Sequence, residues 1–166
     1  MKKLSVLFAA VMMFLAVGVA KAQKIATMDV AAVLNAMPEK KKADDQLTAF
    51  TNAKQAEIKK QADAAQALYE KYEKEAASQT AETNKTRGAE MQKLGEDLQK
   101  KRDAAMQEFN TKQDAAYAPI EKKFYDAVNK VAKANGWDYI MDANSTAFVI
   151  KNGPDATPLV KKELGL

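Results

Sequence analysis

The stretch "AAYAPIEKKFYDAV", residues 115–128, decides how the chain is read. Its alanines, charged residues and spaced apolar side chains read as helix, yet Pro119 stands inside it. A proline in a helix interior deletes a backbone hydrogen bond and crowds the preceding turn, at a cost of about 3 kcal/mol. The position is best used where a bend is useful and neighbouring groups can satisfy the freed carbonyl. Pro119 therefore reads as the hinge or shoulder where a long arm joins a compact body.

The residues on either side support this division. Residues 39–118 are rich in Ala, Lys, Gln and Glu, have no proline and contain two glycines, a composition of long helices rather than of a globule. From Glu39 to about Ala77, the residues Leu47, Phe50, Ile58, Ala62, Ala65, Leu68, Tyr69, Tyr72 and Ala76 recur at spacings near three and four. "SQT" (78–80) interrupts the pattern, and Thr80 with Glu82 nearby marks a new helix start. A second stripe follows with Met91, Leu94, Leu98, Ala105, Phe109, Ala116 and Ile120. Both are thin seams suited to a two-helix coiled coil. Pro38 and Pro119 each lie about 40 residues from the interruption. Folded back as an antiparallel hairpin, arms of roughly 60 Å would place both prolines at the root.

The body comes from the two chain ends. "KIATMDVAAVLNAM" (24–37) opens as a strand, Asp29 can cap a short helical turn, and Pro38 suits a first helical position. After Pro119 the helix continues through Ile120, Phe124, Val128 and Val131 to a stop at Asn135-Gly136. "WDYIMD" (137–142) reads as a strand and "AFVIK" (147–151) as its hairpin partner; Thr157-Pro158 caps and starts a last helix. The fold class is α+β, mostly α: residues 38–119 form the hairpin, with its tip near 78–80, inserted into a body of residues 23–37 and 120–166. So small a sheet, apolar on consecutive positions, needs both faces covered. Self-association through the body would supply that cover and close its strand edges.

The N-terminus has its own grammar. A basic "MKK", an apolar run and "AKA" at 20–22 form a secretory signal peptide over residues 1–22, cut before Gln23. The alternative, a membrane anchor, requires about 20 apolar residues, and the run is short for that. Of 26 basic residues, Lys2, Lys3 and Lys21 leave with the signal, so the mature chain has 23 against 22 acidic ones. A nucleic-acid partner loses its support with that near-neutrality. Without cysteine there are no disulfides to hold an exported chain together, so packing or oligomerisation must.

Catalytic chemistry is thinly provided for. The chain has neither His nor Cys, which removes the commonest general base, the thiol nucleophile and most zinc sites. Asp138 and Asp142 flank a strand and could hold a cation, but simple strand-end placement explains them as well. No phosphate-cradling loop is present, no cofactor is expected, and the chain is not read as an enzyme.

Taken together, "KIATMDVAAVLNAMPE", "APIEKKFYDAVNKVAKANGWDYIMD" and "DATPLVKKEL" strongly resemble the Skp (OmpH) family of periplasmic chaperones. The resemblance covers residues 24–164, is specific at the two ends and is compositional along the arms. It implies a jellyfish-like homotrimer, with three chains sharing a small β-barrel body and three helical tentacles around a cavity. It further implies an ATP-independent periplasmic holdase that captures unfolded outer-membrane proteins and prevents their aggregation. By resemblance, Ile25, Met28, Tyr139, Ile140, Phe148 and Ile150 belong to strands of the oligomerisation body, and Pro38 and Pro119 to the tentacle root. The arms depart from the strongly cationic tentacles of some members. Residues 38–119 hold 15 basic and 15 acidic side chains, so no lipopolysaccharide site is carried over and contact with a membrane surface has little support.

A holdase needs many weak contacts on adaptable arms. Gly88 and Gly95 each cost about 1 kcal/mol relative to alanine in a helix, and the distal third is expected to bend or fray most easily. Tyr69, Tyr72, Met106 and Tyr117 are candidate client contacts, since Met and Tyr adapt to varied surfaces. Stapling the two helices together is the other role open to such residues, and the one expected for Phe50, Leu68 and Phe109. An exported structural coiled coil without client binding, or an envelope-surface protein, would also use long helices. The first does not need matched arms on a strand-bearing body. The second would want a wide apolar face and excess Lys.

Overall fold

The computed structural model describes residues 24–166; the expected signal peptide and its cleavage position lie outside the described residues. In chain order the elements are β1 (Ile25–Met28), α1 (Val30–Leu34), α2 (Pro38–Glu75), a 3-10 turn (Ala76–Ser78), α3 (Ala81–Asn135), β2 (Tyr139–Asp142) and α4 (Thr157–Leu164). The fold is α+β and mostly α, with α2 and α3 packed side by side. Among the described residues no helix is long and apolar enough to cross a membrane.

Local chemistry sets the boundaries. Asp29 accepts from the Ala32 amide at 2.8 Å and caps α1. Pro38 occupies the start of α2, where its missing N–H costs nothing. Thr80 caps α3 by accepting from the Thr83 amide at 3.1 Å. Gly136 ends α3 with φ 65°, a left-handed conformation that glycine enters without penalty. Thr157 departs from expectation: it is the first residue of α4, and Ala156 holds the cap position. The Asp155 carboxylate accepts from the Thr157 amide at 2.9 Å, while the Thr157 hydroxyl accepts from the Asp29 amide, also at 2.9 Å. The threonine side chain is thus spent on joining the two chain ends.

The hairpin register runs without slip. Glu75 meets Arg87, Tyr72 meets Glu90, Lys54 meets Glu108 and Glu39 meets Lys123. Each step down α2 is matched by an equal step up α3. α3 itself runs on through Pro119 from Ala81 to Asn135, so the proline does not end the helix. What changes there is the packing. Ala116 and Tyr117, just before it, are half-buried, whereas Ile120, Phe124, Ala127 and Val131, just after it, are buried. Those four join Ala26, Met28, Val33, Met37, Ala43, Ala156 and Val160 in a single core.

The sheet differs from the expected three-strand arrangement. β1 and β2 pair in parallel, Ile25 with Tyr139 through Met28 with Asp142. The other edge of β1 is taken by residues 154–156: the Thr27 amide donates to the Pro154 carbonyl at 2.8 Å, and the Ala156 amide to the Thr27 carbonyl at 2.7 Å. Residues 147–151, expected as the hairpin partner of β2, are not a strand but a loop, so Phe148 and Ile150 lie outside the strands. Val149 is 98% and Ile150 74% exposed. A strand is held by a partner's backbone and by a surface to pack on. Here the segment finds no partner backbone within its own chain, and of its side chains Phe148 is half-buried while Val149 and Ile150 face solvent.

Candidate functional site

Two features stand out from the compact core: the arm and one face of the sheet. Along the arm, burial ends close to the root. Ala43 and Leu47 are the buried positions of α2, those of α3 all follow Pro119, and from residue 50 to 119 no side chain is fully buried. The seam between the helices is therefore thin, as its alanines dictate, and polar ties accompany it.

These ties fall in three groups. At the root, Asp44 accepts from Lys40 and from the Tyr117 hydroxyl, and Glu39 pairs with Lys123. The Lys40 and Tyr117 bonds hold the Asp44 carboxyl below its ordinary value of 3.8, and the Lys123 ammonium does the same for Glu39. Asp44 in turn raises the Tyr117 phenol. Midway, Lys54 pairs with Glu108 at 2.9 Å and Lys101 with Glu57 at 3.6 Å. The first pair raises Lys54 and lowers Glu108. At the tip, the Arg87 guanidinium bonds Glu75 at 2.6 Å and lies 4.3 Å from the centre of the Tyr72 ring. The Tyr72 hydroxyl donates to Glu90 at 2.7 Å, and the Asn84 amide nitrogen donates to the Ala76 carbonyl at 2.9 Å. Glu90 raises the Tyr72 phenol for that reason. The distal third, expected to be the loosest part, thus carries its own polar clasp.

The four candidate client contacts divide into two kinds. Tyr69 is 50% and Met106 68% exposed on the arm. Tyr72 and Tyr117 are half-buried with their hydroxyls committed across the helix pair. That commitment has no sequence signature, because the hairpin register alone sets Tyr72 against Glu90 and Tyr117 against Asp44.

The second feature is the outer face of the sheet. In the parallel register Ile25 and Tyr139 share one face with Thr27 and Met141. Ile25, Tyr139 and Met141 are exposed there, while Met28 is buried and Ile140 packs on the core from the opposite face. With Val149 and Ile150 in the adjoining loop, this face and its edge show five of the body's large apolar side chains to solvent. The Asp138 and Asp142 carboxylates accept from the backbone amides of Lys24 and Asn144, each at 3.0 Å. Among the described residues no group of three or more potential ligands could hold a metal ion.

A long antiparallel helical hairpin inserted between the strands of a small parallel sheet, with an apolar sheet face left open, defines an α-armed protein of the tentacled class. The family described as outer membrane protein (OmpH-like) matches residues 24–164, and the chain belongs to this Skp/OmpH-like chaperone family. The chaperone protein Skp of Pectobacterium atrosepticum is similar, with 24% identity over 143 residues, covering 86% of each chain. An OmpH-like outer membrane chaperone from Caulobacter crescentus shares the fold, with a TM-score of 0.70 at 15% identity over 86% of this chain and 83% of that one.

Proposed function

We propose that the chain is an ATP-independent periplasmic holdase that binds unfolded outer-membrane proteins between helical arms and prevents their aggregation. In this reading residues 1–22 are a signal peptide removed on export. Residues 38–119 are the tentacle rooted at Pro38 and Pro119, and residues 23–37 with 120–166 form the body of a homotrimer. Ile25, Met28, Tyr139, Ile140, Phe148 and Ile150 build that body; Tyr69 and Met106 are the arm residues offered to clients, while Tyr72 and Tyr117 first serve the helix pair through their hydroxyls. No catalytic step, cofactor or nucleic acid enters.

One observation carries the proposal: an arm without a fully buried side chain between residues 50 and 119 is joined to a body whose apolar sheet face is open. A free arm of this kind gains little from burying itself, so its exposed Tyr69 and Met106 remain free for transient contacts. Weak contacts of short lifetime let a client leave without fuel. The open face is what further copies of the chain would cover, since contiguous exposed apolar surface marks an interaction site.

The test is direct. A urea-unfolded outer-membrane barrel is diluted into buffer with and without the mature chain, and light scattering is followed. Suppression at several-fold molar excess is expected. Unchanged scattering would refute client binding and favour a structural coiled coil of the envelope.

A further inference from the structure

Midway along the arm, a cleft of about 300 Å³ opens between the helices, lined mainly by Phe50 and Ile58 on α2 and by Ala105, Met106 and Phe109 on α3. Two ammonium groups overlook it. Lys54 lies 5.4 Å and Lys112 5.3 Å from the centre of the Phe50 ring. Both share the Glu108 carboxylate, Lys54 closely at 2.9 Å and Lys112 loosely at 3.8 Å. The neighbouring Glu57 is engaged by Lys101, and Asp103 accepts from Gln99. At the Phe50 ring itself two cations, Lys54 and Lys112, share the one Glu108 carboxylate, on an arm that is neutral over its whole length.

We propose that this cleft docks one large apolar side chain of an unfolded client whose neighbour in sequence is an aspartate or glutamate. The inference rests on the holdase reading above and gives it a local selectivity. The cleft suits a single aromatic or long aliphatic side chain. Met106, 68% exposed and unbranched, can swing over an incoming group. An aromatic ring entering beside Phe50 and Phe109 can adopt an edge-to-face contact and remain within reach of an ammonium. The client's carboxylate then takes the loosely held Lys112, completing a charge pair that Glu108 leaves half made. A client lysine in that place would be repelled. Each contribution is weak, which keeps the docking reversible. A second copy of the chain is a poorer occupant, because a cleft of one side chain's size offers no continuous seam for a neighbouring helix.

The test uses the mature full-length chain and dye-labelled unstructured peptides, identical except for a central Phe-Asp, Phe-Lys or Ala-Asp pair, titrated by fluorescence anisotropy. Phe-Asp should bind tightest, with the other two weaker by about threefold to tenfold. Met106→Asp should weaken Phe-Asp binding by about tenfold. Lys112→Glu should shift preference towards Phe-Lys. Equal affinities across the peptides, or variants that keep the wild-type preference, would overturn the proposal. So would variants that change sedimentation but not peptide binding, since the cleft would then be a contact between copies. The scattering assay is run on the same samples. Wild-type suppression with no peptide discrimination removes the cleft and leaves the holdase standing; failure of suppression removes both.

Discussion

Replacing Val149 and Ile150 together by aspartate isolates assembly from folding. Within one chain these side chains are 98% and 74% exposed and belong to no helix or strand. The double substitution therefore removes almost no contact inside a subunit, and exposed changes of this kind stay within about 0.5 kcal/mol. If other copies cover the segment, burial of each aliphatic side chain is worth about 1.5–3 kcal/mol, or about 3–6 kcal/mol per subunit for the pair. Placing carboxylates in the same apolar contact adds a desolvation cost. At about 1.4 kcal/mol per factor of ten, dissociation is favoured by at least about a hundredfold for each subunit lost. Sedimentation velocity over a concentration series reads this directly. Wild type should sediment as a trimer at micromolar concentration and the double variant as smaller species. Identical profiles for the two proteins would refute the reasoning, because the loop would then be as solvated in the assembly as in the single chain.

Phe124 is buried in the core, so Phe124→Ala should cost about 3–5 kcal/mol, seen as a lower urea midpoint; an unmoved midpoint would take it out of the core. Gly95 lies within α3 with nothing within 4 Å of an added Cβ, so Gly95→Ala should gain about 0.5–1 kcal/mol and raise Tm. Gly136, at φ 65°, should behave oppositely: Gly136→Ala loses about 1 kcal/mol because a side chain is strained in that conformation. The arm should also weaken in acid. Lys40 and Tyr117 lower Asp44, Lys123 lowers Glu39 and Lys54 lowers Glu108, against ordinary values of 3.8 for the aspartate and 4.5 for the glutamates. Their contribution is complete above those values and is lost as pH falls through the lowered folded ones. Lys54, Tyr72 and Tyr117 are raised, so theirs is complete below 10.5 and 10.0 and is lost at higher pH. A Tm that stays flat between pH 6 and 3, followed by circular dichroism, would contradict the acid limb.

What could be read from the residues was what residues determine locally. Asp29, Thr80 and Gly136 act through their immediate neighbours, and each ends or starts a helix as expected. Strands 25–28 and 139–142 announced themselves by composition, but their parallel pairing did not, because their partnership spans the whole arm and leaves no local signal. The same distance hides Asp155 beside Thr27. "AFVIK" carries strand composition, yet composition expresses itself as a strand only against a partner backbone. At the tip, nothing in the sequence sets Arg87 apart from the other cations of the arm. Its contacts with Glu75 and Tyr72 exist because the turn at 76–80 fixes the register, and a shift of one residue there would part all three.

The parallel pairing of β1 with β2 has a consequence for how the chain reaches this state. The first strand and its partner stand more than a hundred residues apart in the chain. Closing so large a ring directly would be entropically slow. The helical rod removes most of that distance: zipping from its turn towards its root draws Met37 and Ile120 together, and only a short search remains for the strands. Order of events is thus written into the topology, with the rod leading, the sheet sealing behind it, and any union with other copies coming last.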